Sequence, residues 1–127
     1  MAQRILVVDD DADVRDMVCR TLSASGYEAI PAAGGRQAVE HLERACAEDA
    51  PDLVITDVVM PEVDGFELLQ KLRRMCPGLR TLIMSGGGRL EPEVYLDMAR
   101  RLGARSILRK PFTRAEMLDA VAQALTP

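Results

Sequence analysis

The sequence contains few of the residues that commonly bind zinc or form disulfides. Its three cysteines, Cys19, Cys46 and Cys76, are far apart and form no CxxC pair, and His41 is its single histidine. An odd number of widely spaced cysteines argues against a disulfide framework, and one histidine argues against zinc or redox chemistry. We therefore expect a reducing, cytoplasmic environment, with the cysteines packed as small hydrophobic side chains and His41 facing solvent.

Aromatic residues, excess positive charge and long apolar runs are also scarce. The chain of 127 residues has two Tyr, two Phe and no Trp, carries a net charge of −4 and is 48% hydrophobic. A domain of this length can build a real core, here mainly from aliphatic side chains. The acidic balance argues against direct nucleic-acid binding, and no run approaches the roughly 20 apolar residues of a membrane span.

Short apolar runs alternate with helical patterns along the chain. Most of the runs lack the polar alternation of a half-exposed strand, and they predict five strands at 5–8, 27–30, 53–55, 82–84 and 107–108. Apolar residues at helical spacing predict helices with stripes at 14–22, 38–45, 66–72, 95–102 and 118–125. Five strand–helix units predict parallel strands with right-handed connections, and hence a doubly wound α/β sandwich.

The first helical stripe is formed by Val14, Met17, Val18 and Leu22, which predicts that these side chains share one apolar face. Gly26 follows this stripe, and Gly103 follows the fourth. A glycine just past a helix commonly adopts a left-handed conformation, so we expect positive φ at both.

Four of the predicted strands end in residues that can do chemistry. The first ends in Asp9 and Asp10, the third in Asp57, the fourth in Ser85 and the fifth in Lys110. Sites in doubly wound sheets lie at the carboxyl ends of the strands, beside the topological switch point. If these strands are neighbours, the five side chains converge on one pocket. Asp11 and Asp13, in contrast, are expected in the first turn of the following helix, where the dipole favours anions.

Three carboxylates in one pocket repel each other, and one would stay protonated near neutral pH unless a cation compensates. A hard divalent ion such as Mg²⁺ suits a site built from oxygen ligands. With Mg²⁺ and Lys110 present, one aspartate can remain an ionised nucleophile, and carboxylates attack phosphoryl groups to give an aspartyl phosphate. The acidic cluster is therefore interpreted as a metal site beside a nucleophile.

Four motifs, taken together, resemble the receiver domains of bacterial two-component response regulators, the CheY-like superfamily. They are "VVDD" at 7–10, "DVVMPEVDG" at 57–65, "MSG" at 84–86 and "LRKPF" at 108–112. The resemblance spans the whole chain and implies a flavodoxin-like five-stranded parallel sheet of order 2-1-3-4-5. It also implies one receiver domain over residues 1–127, with no output domain in this chain.

The resemblance assigns a role to each candidate residue. Asp57 would accept a phosphoryl group from a sensor histidine kinase or a histidine phosphotransfer protein. Asp9, Asp10 and Asp57 would bind Mg²⁺, together with the backbone carbonyl of Val59. Ser85 would hydrogen-bond the phosphoryl group.

Lys110 would form an ion pair with the phosphoryl group, and the Lys110–Pro111 peptide is cis in this family. One departure from the family pattern concerns the switch. The family often has Tyr or Phe three residues before the lysine, where this chain has Ile107, which has no ring to move inward on activation.

In receivers, the fourth helix, fifth strand and fifth helix form the usual output face, which here would contact a downstream protein of unknown identity. Residues 100–114 contain six cations and no acid. This stretch either steers an acidic partner or is a solvated surface. The sequence leaves open whether the chain is a stand-alone receiver or a domain of a larger protein.

Two alternative functions remain open on the sequence. The first is a phosphoryl shuttle or sink in a multistep relay, without a dedicated target. The second is a metal-dependent phosphatase that uses the acidic pocket on an external phosphoester. The preferred interpretation is a receiver that is not an enzyme, because it would turn over only its own aspartyl phosphate.

Overall fold

A computed structural model describes residues 2–45, 50–57, 65–85, 93, 97, 100 and 103–126, and for residues 65, 66 and 85 it describes the backbone alone. Its five strands are β1 (Arg4–Val8), β2 (Glu28–Ala32), β3 (Leu53–Asp57), β4 (Arg80–Ser85) and β5 (Ser106–Arg109). Its continuous helices are α1 (Ala12–Ala24), α2 (Gly35–Arg44), α3 (Gly65–Met75) and a C-terminal helix (Arg114–Leu125). Residues 93, 97 and 100 are also helical, and the rest of the fourth predicted stripe lies outside the described residues.

The strands form one parallel sheet in the order β2-β1-β3-β4-β5, which confirms the predicted architecture. The chain passes from β1 outward to β2, and then returns to place β3 on the other side of β1. The topological switch point therefore lies between β1 and β3, and this is where ligands bind in doubly wound sheets.

The sheet is covered on both faces, which explains why the strands lack polar alternation. Successive residues of β1 enter opposite clusters: Ile5 and Val7 pack with α1 and the C-terminal helix, and Leu6 and Val8 pack with α2 and α3. All four side chains are fully buried. Burying one such side chain contributes roughly 1.5–3 kcal/mol, so the two clusters hold the strand ends in fixed positions.

Two helix-terminal predictions and one helix-initiating prediction are confirmed. Gly26 and Gly103 have φ of 93° and 76°. Asp11 is the N-cap of α1, where its side chain accepts hydrogen bonds from the backbone N–H groups of Asp13 and Val14. Asp13 lies in the first turn of α1. Asp11 was expected within this turn but instead caps it, and the helix begins directly after it, at Ala12.

Two predictions about apolar segments need correction. Met17 was expected on the apolar face of α1, but its side chain is 42% exposed because the helix buries the row that contains Val18 and Leu22. The second strand runs over Glu28–Ala32 rather than 27–30 and includes Pro31. A proline is tolerated there because β2 is an edge strand.

The prediction that His41 faces solvent is also wrong in part. The residue is half-buried on α2, and its Nε2 atom is enclosed with no hydrogen-bond partner among the described residues. Cys19 and Cys76 pack against the two hydrophobic clusters, as expected, and Cys46 lies outside the described residues. In the described part of the chain, no helix has both the length and the hydropathy that crossing a membrane requires.

Candidate metal and phosphoryl site

The first part of the site is the turn that follows β1. Asp9 is fully buried, and its backbone N–H donates to the carbonyl of Ala32 at 3.2 Å. Its side-chain Oδ1 accepts a hydrogen bond of 2.9 Å from the backbone N–H of Asp11. Asp10 lies between them at the apex of this turn and is exposed. Adjacent residues thus provide one buried and one solvent-facing carboxylate.

The second part is the end of β3, which places Asp57 beside the turn. β1 pairs directly with β3, so the carboxyl ends of the two strands lie next to each other. Asp57 is largely buried, and Asp9, Asp10 and Asp57 each present a carboxylate oxygen within 4.8 Å of the other two. The three carboxylates therefore form one cluster at the switch point.

The third part is Lys110, which follows β5. Its Nζ donates to Oδ2 of Asp57 at 2.7 Å and to Oδ2 of Asp9 at 3.2 Å. The lysine side chain is 24% exposed, whereas those of Asp9 and Asp57 are 0% and 12% exposed. Partly buried, charge-assisted hydrogen bonds of this length are stronger than those of surface ion pairs. The Lys110–Pro111 peptide is cis, as the resemblance implied.

The electrostatics of the cluster follow from burial and crowding. Burial raises the pKa of Asp9, because hydrogen bonding from Asp11 and the charge of Lys110 offset the desolvation only in part and Asp57 adds repulsion. Burial acts to lower the pKa of Lys110, but hydrogen bonding and charge from Asp57 and Asp9 outweigh it and raise that pKa. Asp9 therefore protonates more readily than an ordinary aspartate, and Lys110 stays charged at neutral pH.

The donor set fits a magnesium ion. Three carboxylates and one ammonium, all ionised, leave a net charge of −2 in the cluster. A hard divalent cation would neutralise that charge, and carboxylate oxygens are ligands that Mg²⁺ prefers. The raised pKa of Asp9 points the same way, because burial and, to a smaller extent, the charge of Asp57 favour its protonated form when no metal is bound.

Of the candidate residues, Ser85 is described only in its backbone, and Val59 is not described. Ser85 ends β4, and its backbone pairs in register with Arg109 of β5, so it lies at the same edge of the sheet. Its side chain and the whole of Val59 lie outside the described residues. Their roles therefore stay predictions.

The structure adds one residue that the sequence did not single out. Arg15 of α1 donates from Nη1 to the backbone carbonyl of Asp9 at 2.8 Å. No motif encodes this contact, because its acceptor is a main-chain oxygen six residues earlier in the chain. Arg15 could have been identified from its position, because it is a cation one turn into a helix that follows a strand-end carboxylate.

Known proteins are similar to this chain in both sequence and fold. A family model described as "Response regulator receiver domain" matches residues 5–122. Chemotaxis protein CheY of Bacillus subtilis is 36% identical over 126 residues, covering 98% of this chain and 99% of that protein. Sporulation initiation phosphotransferase F of the same organism is 32% identical over 125 residues, covering 98% of this chain and 95% of that protein.

Among solved structures, the chemotaxis response regulator CheY4 of Vibrio cholerae superposes with a TM-score of 0.85 at 31% identity. The match covers 98% of this chain and 100% of that one. Other relatives are longer: the chain spans 48% of the length of the response regulator MprA from Mycolicibacterium vanbaalenii.

Proposed function

Since the chain belongs to the response regulator receiver domain family, and is thus a phosphoacceptor module of two-component signalling, we propose that Asp57 is its phosphorylated residue. The donor is a phosphohistidine on a sensor histidine kinase or a histidine phosphotransfer protein. The observation that carries this assignment is the 2.7 Å contact between Lys110 Nζ and Asp57 Oδ2, inside a cluster of three carboxylates.

The proposed reaction is a phosphoryl transfer between two protein side chains. A carboxylate oxygen of Asp57 attacks the phosphorus and forms a P–O bond while the P–N bond of the phosphohistidine breaks. The electron pair of that bond returns to the imidazole nitrogen, which takes up a proton. Lys110 offsets the negative charge of Asp57 before the transfer and that of the phosphoryl oxygens during it.

Asp9, Asp10 and Asp57 would hold Mg²⁺, with the backbone carbonyl of Val59 as a further ligand implied by the family. A bound ion would supply positive charge that offsets the negative charge on the oxygens of the transferring group. Ser85 is proposed to hydrogen-bond the phosphoryl group from the end of β4, next to β3 in the sheet.

The output is proposed to be protein–protein contact rather than catalysis on an external substrate. In this proposal the chain catalyses only the phosphorylation and dephosphorylation of its own Asp57, and it binds neither nucleic acid nor membrane directly. The downstream protein docks on the face that includes β5 and the C-terminal helix, where the exposed Arg109 and Arg114 favour an acidic partner.

A relay shuttle is the second candidate, and one observation favours it. The chain aligns over nearly its full length with a relative whose name is phosphotransferase. A shuttle would pass its phosphoryl group back to a histidine phosphotransfer protein and would show no partner specific to the phosphorylated form. A phosphatase, in contrast, would complete many turnovers on a phosphoester in the presence of Mg²⁺.

The test is intact-mass spectrometry after incubation with acetyl phosphate and Mg²⁺. We expect one labile phosphoryl adduct, absent from the Asp57→Asn variant and from a sample in which EDTA removes the metal. Asp16→Asn is the matched control, because Asp16 is an exposed carboxylate on α1 that pairs with Arg20. An adduct that persists in Asp57→Asn, or wild-type protein without an adduct, would refute the assignment.

A further inference from the structure

Two of the hydrogen bonds in the turn that presents Asp10 come from the start of α1 and are accepted by Asp9. One joins the backbone N–H of Asp11 to the side-chain Oδ1 of Asp9 at 2.9 Å. The other joins the guanidinium of Arg15 to the backbone carbonyl of Asp9 at 2.8 Å. The carbonyl of Asp9 belongs to the peptide unit that leads into Asp10. Its orientation therefore constrains where the backbone of Asp10, and with it the exposed carboxylate, lies relative to Asp9 and Asp57.

We propose that Arg15 is a positioning residue for the magnesium site. It fixes the peptide between Asp9 and Asp10, so that the three carboxylates are already grouped before an ion arrives. This inference rests on the proposed function, because the ligands that Arg15 orders are those assigned to Mg²⁺ there. Arg15 itself contacts neither the ion nor the phosphoryl group in this account.

Both the helix that carries Arg15 and the carbonyl that Arg15 contacts are held in place by other interactions. α1 begins at a fixed point, because Asp11 caps it with hydrogen bonds to the N–H groups of Asp13 and Val14. Val18, one turn further along, is fully buried and locks the rotation of the helix against the sheet. The half-buried guanidinium therefore reaches a carbonyl whose position is set by β1. Hydrogen bonds that orient metal ligands from outside the coordination sphere typically change metal affinity by 10–100-fold when they are removed.

The charge of Arg15 complicates the choice of variant. A cation beside a divalent-ion site opposes metal binding, so a neutral replacement would lose the positioning and relieve the repulsion at once. Arg15→Lys keeps the charge but shortens the side chain and removes the planar fork of donors. A change in affinity in this variant therefore reports on geometry alone.

Arg20→Lys is the matched control. Arg20 lies on the same helix, is exposed, and pairs with Asp16 at 3.5 Å rather than with the site. Mg²⁺ titration of the unphosphorylated proteins, followed by the backbone amide resonances of residues 9–11, gives the dissociation constants. We expect Arg15→Lys to raise the dissociation constant about tenfold, and Arg20→Lys to leave it within about twofold of wild type, the scale of a change at an exposed residue.

Two further measurements separate positioning from a general loss of structure. Without metal, the carbonyl ¹³C resonance of Asp9 should shift in Arg15→Lys and stay in place in Arg20→Lys. With acetyl phosphate, Arg15→Lys should need more Mg²⁺ for half-maximal phosphorylation, while the rate at saturating Mg²⁺ stays near that of wild type.

Equal Mg²⁺ affinities of Arg15→Lys and wild type, with a normal wild-type adduct on Asp57, would overturn this inference and leave the proposed function standing. An unchanged Asp9 carbonyl resonance would also overturn it, because the hydrogen bond would then contribute nothing in solution. Wild-type protein that binds no Mg²⁺ would refute the proposed function, and the positioning role with it.

Discussion

The two edges of the sheet use charge in opposite ways. At the carboxyl edge, Asp9 and Asp57 lie largely buried beside each other and share one ammonium, Lys110. At the amino edge, Arg80 donates to the backbone carbonyl of Leu125 at 2.7 Å, at the end of the C-terminal helix. Arg80 thus contacts a helix-terminal oxygen that carries partial negative charge.

The amino edge resembles ordinary structural electrostatics. The last carbonyls of a helix carry partial negative charge, and an arginine beside them stabilises the helix terminus. Arg105 adds a longer contact of 3.4 Å to the carbonyl of Thr126, and Arg4 pairs with Glu28 near solvent at 3.1 Å. Each of these contacts gives an arginine a nearby acceptor, and none of them brings like charges together.

The carboxyl edge, by contrast, keeps an excess of negative charge in a place where charge is costly. A fold selected for stability alone would not bring two buried carboxylates to one lysine, since burial, with added repulsion from Asp57, raises the pKa of Asp9. Such concentrations of perturbed groups occur mainly at functional sites. The contacts at the amino edge therefore stabilise the fold, whereas the charges at the carboxyl edge are held in place by the fold, as at a functional site.

The largest expected effect comes from removing the shared cation. Lys110→Met removes the ammonium that Asp9 and Asp57 share, and we expect a loss of about 2–3 kcal/mol in the free energy of unfolding at neutral pH, less than for a fully buried pair because the lysine is partly exposed. Urea denaturation of the variant and wild type measures this. A loss no larger than that of Arg80→Met would abolish the distinction between the edges.

The pH dependence of that difference follows from the sign of the lysine shift. The folded-state pKa of Lys110 is raised above its ordinary value of 10.5, so its stabilising contribution is fully present below that pH. It should disappear only as the pH rises through the raised value. A difference between wild type and Lys110→Met that vanished between neutral pH and 10.5 would contradict the assignment.

A smaller effect of opposite sign is expected at Asp9. Its folded-state pKa is raised above 3.8, so the folded state binds the proton more tightly and ionisation of Asp9 costs stability as the pH rises. Asp9→Asn, which can still accept the hydrogen bond from Asp11, should therefore be more stable than wild type at neutral pH. Metal-free denaturation at several pH values tests this: the gain should shrink toward zero as the pH falls to 3.8, and a gain that grew on acidification would be the wrong sign.

The smallest effects are expected at the amino edge. Arg80→Met removes a short hydrogen bond to a helix-terminal carbonyl and should cost about 1 kcal/mol. Arg105→Met removes a longer, exposed contact and should cost less than about 0.5 kcal/mol. Thermal unfolding of both variants ranks them, and neither should alter phosphorylation of Asp57. A clear loss of phosphorylation in Arg80→Met would show that the two edges are coupled.

Much of the fold could be predicted because local pattern and topology agree. The apolar runs of β1 and β3 carry no polar alternation, which indicates a sheet covered on both faces, and parallel connection rules then leave few topologies. The strand order was implied by the family resemblance, and with the rule that sites lie at strand ends it predicted the meeting of Asp9, Asp57 and Lys110 that their hydrogen bonds show. Where the pattern was weak, at β2 with Pro31, the predicted bounds were wrong.

The sequence could not predict contacts that depend on exact placement. Met17 has the spacing of a core residue, but the rotation of α1 against the sheet exposes it. His41 is flanked by acids in the sequence, yet the packing of α2 encloses its Nε2 atom. Arg15 binds a main-chain oxygen, and sequence patterns record side chains rather than carbonyl directions.

The separation of Lys110 from Asp9 along the chain determines when the site can form during protein synthesis. The two residues are 101 positions apart, so the site does not exist until the fifth strand has docked beside the fourth. A growing chain emerges N-terminus first, and pairings across this distance form late because closing so long a loop costs entropy. Until then the aspartates lack the ammonium that, in the proposed function, assists phosphoryl transfer to Asp57. A partly synthesised chain therefore lacks the complete site, which forms only when the fold is complete.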